Sequence, residues 1–222
     1  MDNKVKKLVT LAMFCAIAYA FMFVGRIPLV PAVPFLKYDP KDVVIAIGGF
    51  LFGPVSAFVI SLLVSLIEMI TVSETGPIGL IMNVLSTCTF ACTAAVVYKK
   101  KHTIKGAVAG LVTGCVLTTG VMLLWNYLIT PIYMGYPREA VAELLLPAFL
   151  PFNLLKCSIN AALTIFLYKP VVRALRKSGL VAESKGNPEQ AGSRRGSVGV
   201  MLLAAVVLAT CVLLVLVLQG II

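Results

Sequence analysis

Seven apolar runs organise the chain, at 8–25, 43–52, 55–72, 78–98, 104–129, 147–168 and 198–218. A helix needs roughly 20 apolar residues to cross a hydrocarbon core, and six of these runs reach about that length. The exception is 43–52, because ten helical residues rise only about 15 Å. It predicts a short or tilted helix buried by its neighbours, cut off from the next run by Gly53 and Pro54. The pattern predicts an all-α membrane protein in three parts. A six-transmembrane-helix bundle with a short second helix covers 1–178, a flexible polar linker 179–197, and an additional C-terminal transmembrane helix 198–222. That last run is almost purely Val, Leu and Ala before Gln219 and reads as a simple anchor.

Composition agrees with the pattern. Sixty per cent of the residues are hydrophobic and 13% charged, with a mean hydropathy of +1.01, whereas soluble domains are near half apolar and a quarter charged. No separate soluble catalytic domain fits. The first run contains Ala18-Tyr19-Ala20, a pattern found at leader-peptide cleavage sites, but it stays apolar through Val24 and is read as a retained helix.

A net charge of +10 would suggest nucleic acid for a soluble protein. Here the basic residues cluster at the ends of apolar runs, which is the signature of membrane topology. With a cytoplasmic N-terminus, fourteen of the nineteen Lys and Arg fall on the cytoplasmic side, in the groups Lys4 to Lys7, Lys99 to Lys105 and Lys169 to Arg195. The outer loops hold Arg26, Lys37, Lys41 and Arg138, and Lys156 is the only basic residue deep in an apolar run. The six cysteines lie inside apolar runs, without a C-x-x-C pair, and read as small core residues.

Elimination argues against an enzyme. The only histidine, His102, sits in the basic cluster KKKHTIK, no apolar run contains Asp, and there is no phosphate-binding G-x-x-x-x-G-K-[ST] loop. No catalytic residue and no metal ligand set is therefore expected, and uphill movement of a solute would need a partner or an ion gradient. What remains are polar side chains inside apolar runs, where burial is costly and function is the default hypothesis. They are Glu68, Asn83, Trp125, Asn126, Asn153, Lys156, Ser158 and Asn160. Asn153 and Lys156 share a helix face about 9 and 14 Å below Pro147. Asn126 lies at a similar depth in its own helix, so the three converge on one level. Amides and an ammonium offer donors and acceptors suited to a neutral, heteroatom-rich planar ligand or an anionic one. The alternatives are asparagines that tie helices together and a structural ion pair of Lys156 with Glu68 as its buried charge partner.

The loop 26–42 (RIPLVPAVPFLKYDPKD) has Pro28, Pro31 and Pro34 three apart, which predicts an extended polyproline segment. With Phe35 and Tyr38 it reads as a lid over the polar level, or as an ordinary connection. Ala12, Ala16 and Ala20 line one face of the first helix, where small residues admit the close approach of another helix.

Four stretches carry a family resemblance: PFLKYDPKDVVIAIGGFLFGP (34–54), LIEMITVSETGPIGLIMN (66–83), LWNYLITPIYMG (124–135) and LPFNLLKCSINAAL (150–163). In this order they resemble the riboflavin-specific S component, the RibU family, of energy-coupling factor (ECF) transporters. The resemblance implies a subunit in the cell membrane that binds riboflavin, as cargo and not as cofactor, near the outer surface under the loop after the first helix. Asn126, Asn153 and Lys156 would be the polar contacts to the flavin, with Tyr38, Asn83 and Trp125 further candidates by position. It also implies that Ala12, Ala16 and Ala20 dock on a transmembrane coupling protein served by two cytoplasmic ATPases, and that the loaded subunit topples to release vitamin inward. An S component for another vitamin or for FMN is the nearest alternative, and a non-transporting scaffold the alternative from another class. The seventh run departs from the six-helix pattern.

Overall fold

The computed structural model describes residues 3–33, 36–73, 75–181 and 194–221. Each apolar run forms a helix, and the breaks fall where glycine and proline dictate. α1 (Asn3–Val24) ends at Gly25, whose amide donates to the Phe21 carbonyl at 2.9 Å. A Cβ on Gly25 would lie 2.7 Å from the Pro40 ring, so only glycine lets the end of α1 sit against the entry to the second helix. Between them runs a strap. Ile27–Pro28 (β1) pairs antiparallel with Lys37–Tyr38 (β2), and the Val33 and Leu36 amides donate to the Val30 and Val33 carbonyls.

This corrects the polyproline expectation for 26–42. Leu29, Val30, Val33 and Leu36 are all buried, and sinking them into the protein folds the segment into a hairpin-like turn in place of a rod. Pro34 and Phe35, which carried part of that expectation, lie outside the described residues.

α2 (Lys41–Phe52) is the short helix expected at 43–52, extended by two residues at its start. Ten consecutive positions from Lys41 to Phe50 are buried, because α1, α3, α4 and α7 surround it. At Gly53 the backbone turns with φ 92°, a left-handed value that glycine tolerates, and Pro54 opens α3 (Pro54–Thr71) at its first turn. α4 (Gly76–Lys101) and α5 (Ile104–Met134) follow. A Cβ at Gly110 or Gly114 would lie 2.7 Å from the carbonyl oxygen of Ala94 or Phe90, so these two glycines set how closely α5 approaches α4.

The run expected from Pro147 begins earlier and is compound. α6 (Arg138–Leu144) leads through a π-helical turn (Leu145–Phe149) into α7 (Leu150–Lys177). α8 (Arg194–Leu218) is the extra helix, starting four residues before the expected 198. Most of the expected linker 179–197 lies outside the described residues. Among the described residues, six helical segments are long and apolar enough to cross a membrane, counting α6 to α7 as one and leaving out α2. The result is the expected helical membrane bundle with a short second helix and an added C-terminal one.

α8 does not stand apart. It packs along α7, and Cys211 and Val215 join the strap and α7 in one apolar cluster. The apolar C-terminal run is thus a helix that also packs on the body.

Candidate ligand-binding site

Four helices and the strap converge on a cleft at the end of the bundle where α1 emerges into the strap. α4 contributes Met82, Asn83 and Ser86, α5 Met122, Asn126 and Tyr133, and α7 Phe152, Asn153 and Lys156. The strap region adds Arg26, Leu36, Lys37 and Asp39, and α3 adds Glu68. The cavity itself is narrow, ≈ 70 Å³, below the roughly 300–1,000 Å³ common for small-molecule sites, so a ligand of that size needs the cleft to open further. The Lys and Arg groups near Lys4, Lys99 and Lys177 begin or end helices at the opposite end of the bundle.

The level predicted for Asn126, Asn153 and Lys156 is therefore a real wall, and Asn83 joins it. The two deep asparagines do not tie helices together. Asn126 Nδ2 donates to the Met122 carbonyl at 2.7 Å and its Oδ1 accepts from Thr130 at 3.0 Å, both within α5. Asn153 Nδ2 donates at 2.8 Å to the Phe149 carbonyl in the π-helical turn, where the widened backbone repeat redirects carbonyls. The bridging role falls to Asn160, whose Nδ2 donates to Asp42 at 3.3 Å and whose Oδ1 accepts from the Tyr38 hydroxyl at 2.9 Å.

Charges beneath the cleft are arranged differently from expectation. The Lys156–Glu68 pair is replaced by two others. Lys156 Nζ lies 3.5 Å from Asp42 Oδ2, and Glu68 Oε2 accepts from Lys41 Nζ at 2.5 Å. Lys41 is fully buried and also lies 3.6 Å from Asp39 Oδ2. Arg26 reaches Glu68 Oε1 at 3.8 Å from the strap. Asp42 is held further by the Thr87 hydroxyl, which donates to Oδ1 at 2.6 Å. Arg26, Lys41 and Lys156 thus face Asp39, Asp42 and Glu68, three charges against three, and the half-buried Lys37 adds one positive charge at the cleft. The site residues missed from sequence are Lys41, Asp39 and Asp42. Their signal was the charged run DPKD abutting a helix too short to span, which forces its first turn into the interior.

Asp39 is 4% exposed, lines the cleft, and its Oδ1 is buried without a hydrogen-bond partner. Burial pushes its carboxyl up, but Lys41, Lys156 and Arg26 more than offset this and hold it below the usual carboxylate value. It therefore presents an anionic acceptor. Burial, then the Asp39 and Asp42 charges, push the Tyr38 phenol above its usual value, so it remains a neutral donor.

Two candidates sit elsewhere. Tyr38 is buried and engaged with Asn160 away from the lining, and Trp125 is half-buried outside the lining with its indole Nε1 unpartnered. Ala12, Ala16 and Ala20 all lie on the exposed face of α1.

Fold and site together define a multi-pass helical membrane protein with a polar, charged cleft at one end of the bundle. The family follows from comparison: residues 6–168 match the family model for the ECF transporter, substrate-specific component, and the chain belongs to that family. It is 30% identical over 179 residues to the riboflavin transporter RibU of Staphylococcus aureus (strain TCH60), covering 78% of this chain and 93% of that one. The riboflavin transporter FmnP of Bacillus subtilis (strain 168) is 29% identical, over 69% of this chain and 85% of its own. A solved S component of a bacterial ECF transporter superposes with a TM-score of 0.66 at 29% identity, covering 78% of this chain and 99% of that structure. The family is one of transporter components and not of enzymes.

Proposed function

We propose that this chain is the riboflavin-binding subunit of an ECF-type importer, and that the cleft is its vitamin site. The observation that carries the reading is the convergence of Asn83, Asn126, Asn153 and Lys156 from three helices on one cleft. The Lys156 ion pair with Asp42 is long enough to leave ammonium donors for a ligand. A flavin's ring carbonyls and nitrogens accept from the amides and the ammonium, while its hydroxyls and imide N–H supply what Asp39 Oδ1 lacks. The two buried lysines are already met by carboxylates, Lys41 by Glu68 and Lys156 by Asp42, which favours riboflavin over a phosphate ester that would compete for them. Names of the relatives support the same ligand: the S. aureus and B. subtilis proteins are riboflavin transporters.

The basic groups at the end opposite the cleft support a cytoplasmic N-terminus and a cleft open to the outside of the cell membrane. The exposed Ala12, Ala16 and Ala20 face then serves docking on the transmembrane coupling protein, with two cytoplasmic ATPases supplying energy. In this reading 1–178 is the binding body and 198–222 an accessory helix.

The test is a flavin fluorescence titration on detergent-purified protein. One saturable riboflavin site that Lys156→Met weakens is the expected result. Unquenched riboflavin fluorescence with folded protein would remove the flavin assignment and favour another vitamin or a scaffold.

A further inference from the structure

α8 touches the body along a single stripe. Cys211 and Val215 stand four apart on one face of α8, and Gln219, in the turn just past its end, continues their line. Cys211 and Val215 are 8% and 9% exposed and pack in the cluster that holds Leu29, Val33 and Leu36 of the strap. At the end of the stripe, Gln219 Nε2 donates to the Pro28 carbonyl at 2.9 Å, a bond between residues 191 positions apart in sequence. β1 therefore has β2 on one side and the end of α8 at its Pro28 carbonyl.

The strap is also cleft wall. Leu36 and Lys37 line the cleft, and Phe152, which shares the apolar cluster with Val215, lines it from α7. Lifting the strap outward would widen the mouth, and it would break the Gln219 bond and draw Leu29, Val33 and Leu36 out of the apolar cluster that also holds Val215. Contacts that lifting the strap would break favour the arrangement seen here. α8 acts from the α7 side, whereas α1 packs on α2 and α3 and leaves Ala12, Ala16 and Ala20 exposed.

We propose that α8 is a latch: through Cys211, Val215 and Gln219 it holds the strap against the cleft and slows release of the bound ligand, without occupying the alanine face. The retention part rests on the riboflavin reading above; the hold on the strap does not.

The experiment uses the full chain in detergent, as wild type, Gln219→Ala and Val215→Ser, with two readouts. The first needs no ligand: hydrogen exchange at the strap amides of residues 29, 30, 33 and 36–38, with α4 and α5 amides as the folding control. The second is stopped-flow association and dissociation of riboflavin. Faster strap exchange in both variants with unchanged α4 and α5 is expected, together with dissociation about three- to tenfold faster at near-constant association, the scale of one net hydrogen bond. Unchanged strap exchange in both variants overturns the latch. Faster exchange with unchanged dissociation overturns the retention role. If wild type binds no riboflavin, the ligand assignment fails, and the exchange comparison still decides whether α8 holds the strap.

Discussion

Lys41 and Glu68 form the buried ion pair of the site: Nζ donates to Oε2 at 2.5 Å, with the lysine fully buried and the glutamate 2% exposed. The pair joins the first turn of α2 to α3. Arg26 at 3.8 Å adds the strap to the same carboxylate.

Breaking that pair from one side leaves a buried charge uncompensated, which costs about 3–5 kcal/mol. Lys41→Met is expected to lower the melting temperature in detergent markedly, and so is Glu68→Met. The double substitution Lys41→Met with Glu68→Met should be less harmful than the two effects added, because neither charge is then stranded. Additive losses in a thermal double-mutant cycle would show that the pair is not energetically coupled.

Lys156 lines the cleft and its ion pair is looser, so its loss should fall on binding. A hydrogen bond to a charged group contributes about 1.5–3 kcal/mol. Lys156→Met should therefore weaken riboflavin by roughly ten- to a hundredfold, while Thr87 and Asn160 still hold Asp42. Titration of the variant beside its melting curve separates the two effects.

Asp39 has an oxygen with no protein partner, and a ligand donor is the group that completes it. Asp39→Asn should reduce riboflavin affinity and narrow the preference for riboflavin over FMN, since the carboxylate charge that repels a phosphate is gone. The pH profile has a definite sign. A carboxyl held below its usual value contributes stability above the unfolded value of about 3.9 and loses it as pH falls through the folded value. Affinity should hence be flat from pH 8 to pH 5; a titration step between them would place a different group in the site.

At Gly114 a Cβ would lie 2.7 Å from the Phe90 carbonyl oxygen. Gly114→Leu should force α4 and α5 apart and destabilise the bundle, with lower thermal stability and less folded protein. Gly120, where a Cβ meets nothing within 4 Å, is the control: Gly120→Ala should be silent.

Ala16 is exposed on α1. Ala16→Trp should leave riboflavin binding intact in the isolated subunit and abolish uptake in cells that carry the partner proteins. Uptake at normal expression would remove that face from coupling.

Hydrophobic run length was enough to place the helices, and the grouping of Lys and Arg to rank their ends, because both follow from the local requirement that apolar surface meets lipid and charge meets water. The same logic isolated Asn126, Asn153 and Lys156, since a polar group inside such a run has few places to go. Gly110 and Gly114, four apart in α5, were a close-approach signal legible in the sequence. Other features depend on which elements meet. Lys41 looked like a loop residue because its burial comes from α2 being surrounded on every side. The partners of Glu68 and Lys156 were decided by the register of α2 against α3 and α7, and sequence spacing carries no distance between helices. Pro28, Pro31 and Pro34 set local backbone preference, but burial of Leu29, Val30, Val33 and Leu36 outweighed it. α8 is apolar enough to stand alone in lipid, so its composition cannot tell lipid from protein contact. Only the tertiary structure brings Gln219 to the Pro28 carbonyl and so ties the end of α8 to the strap.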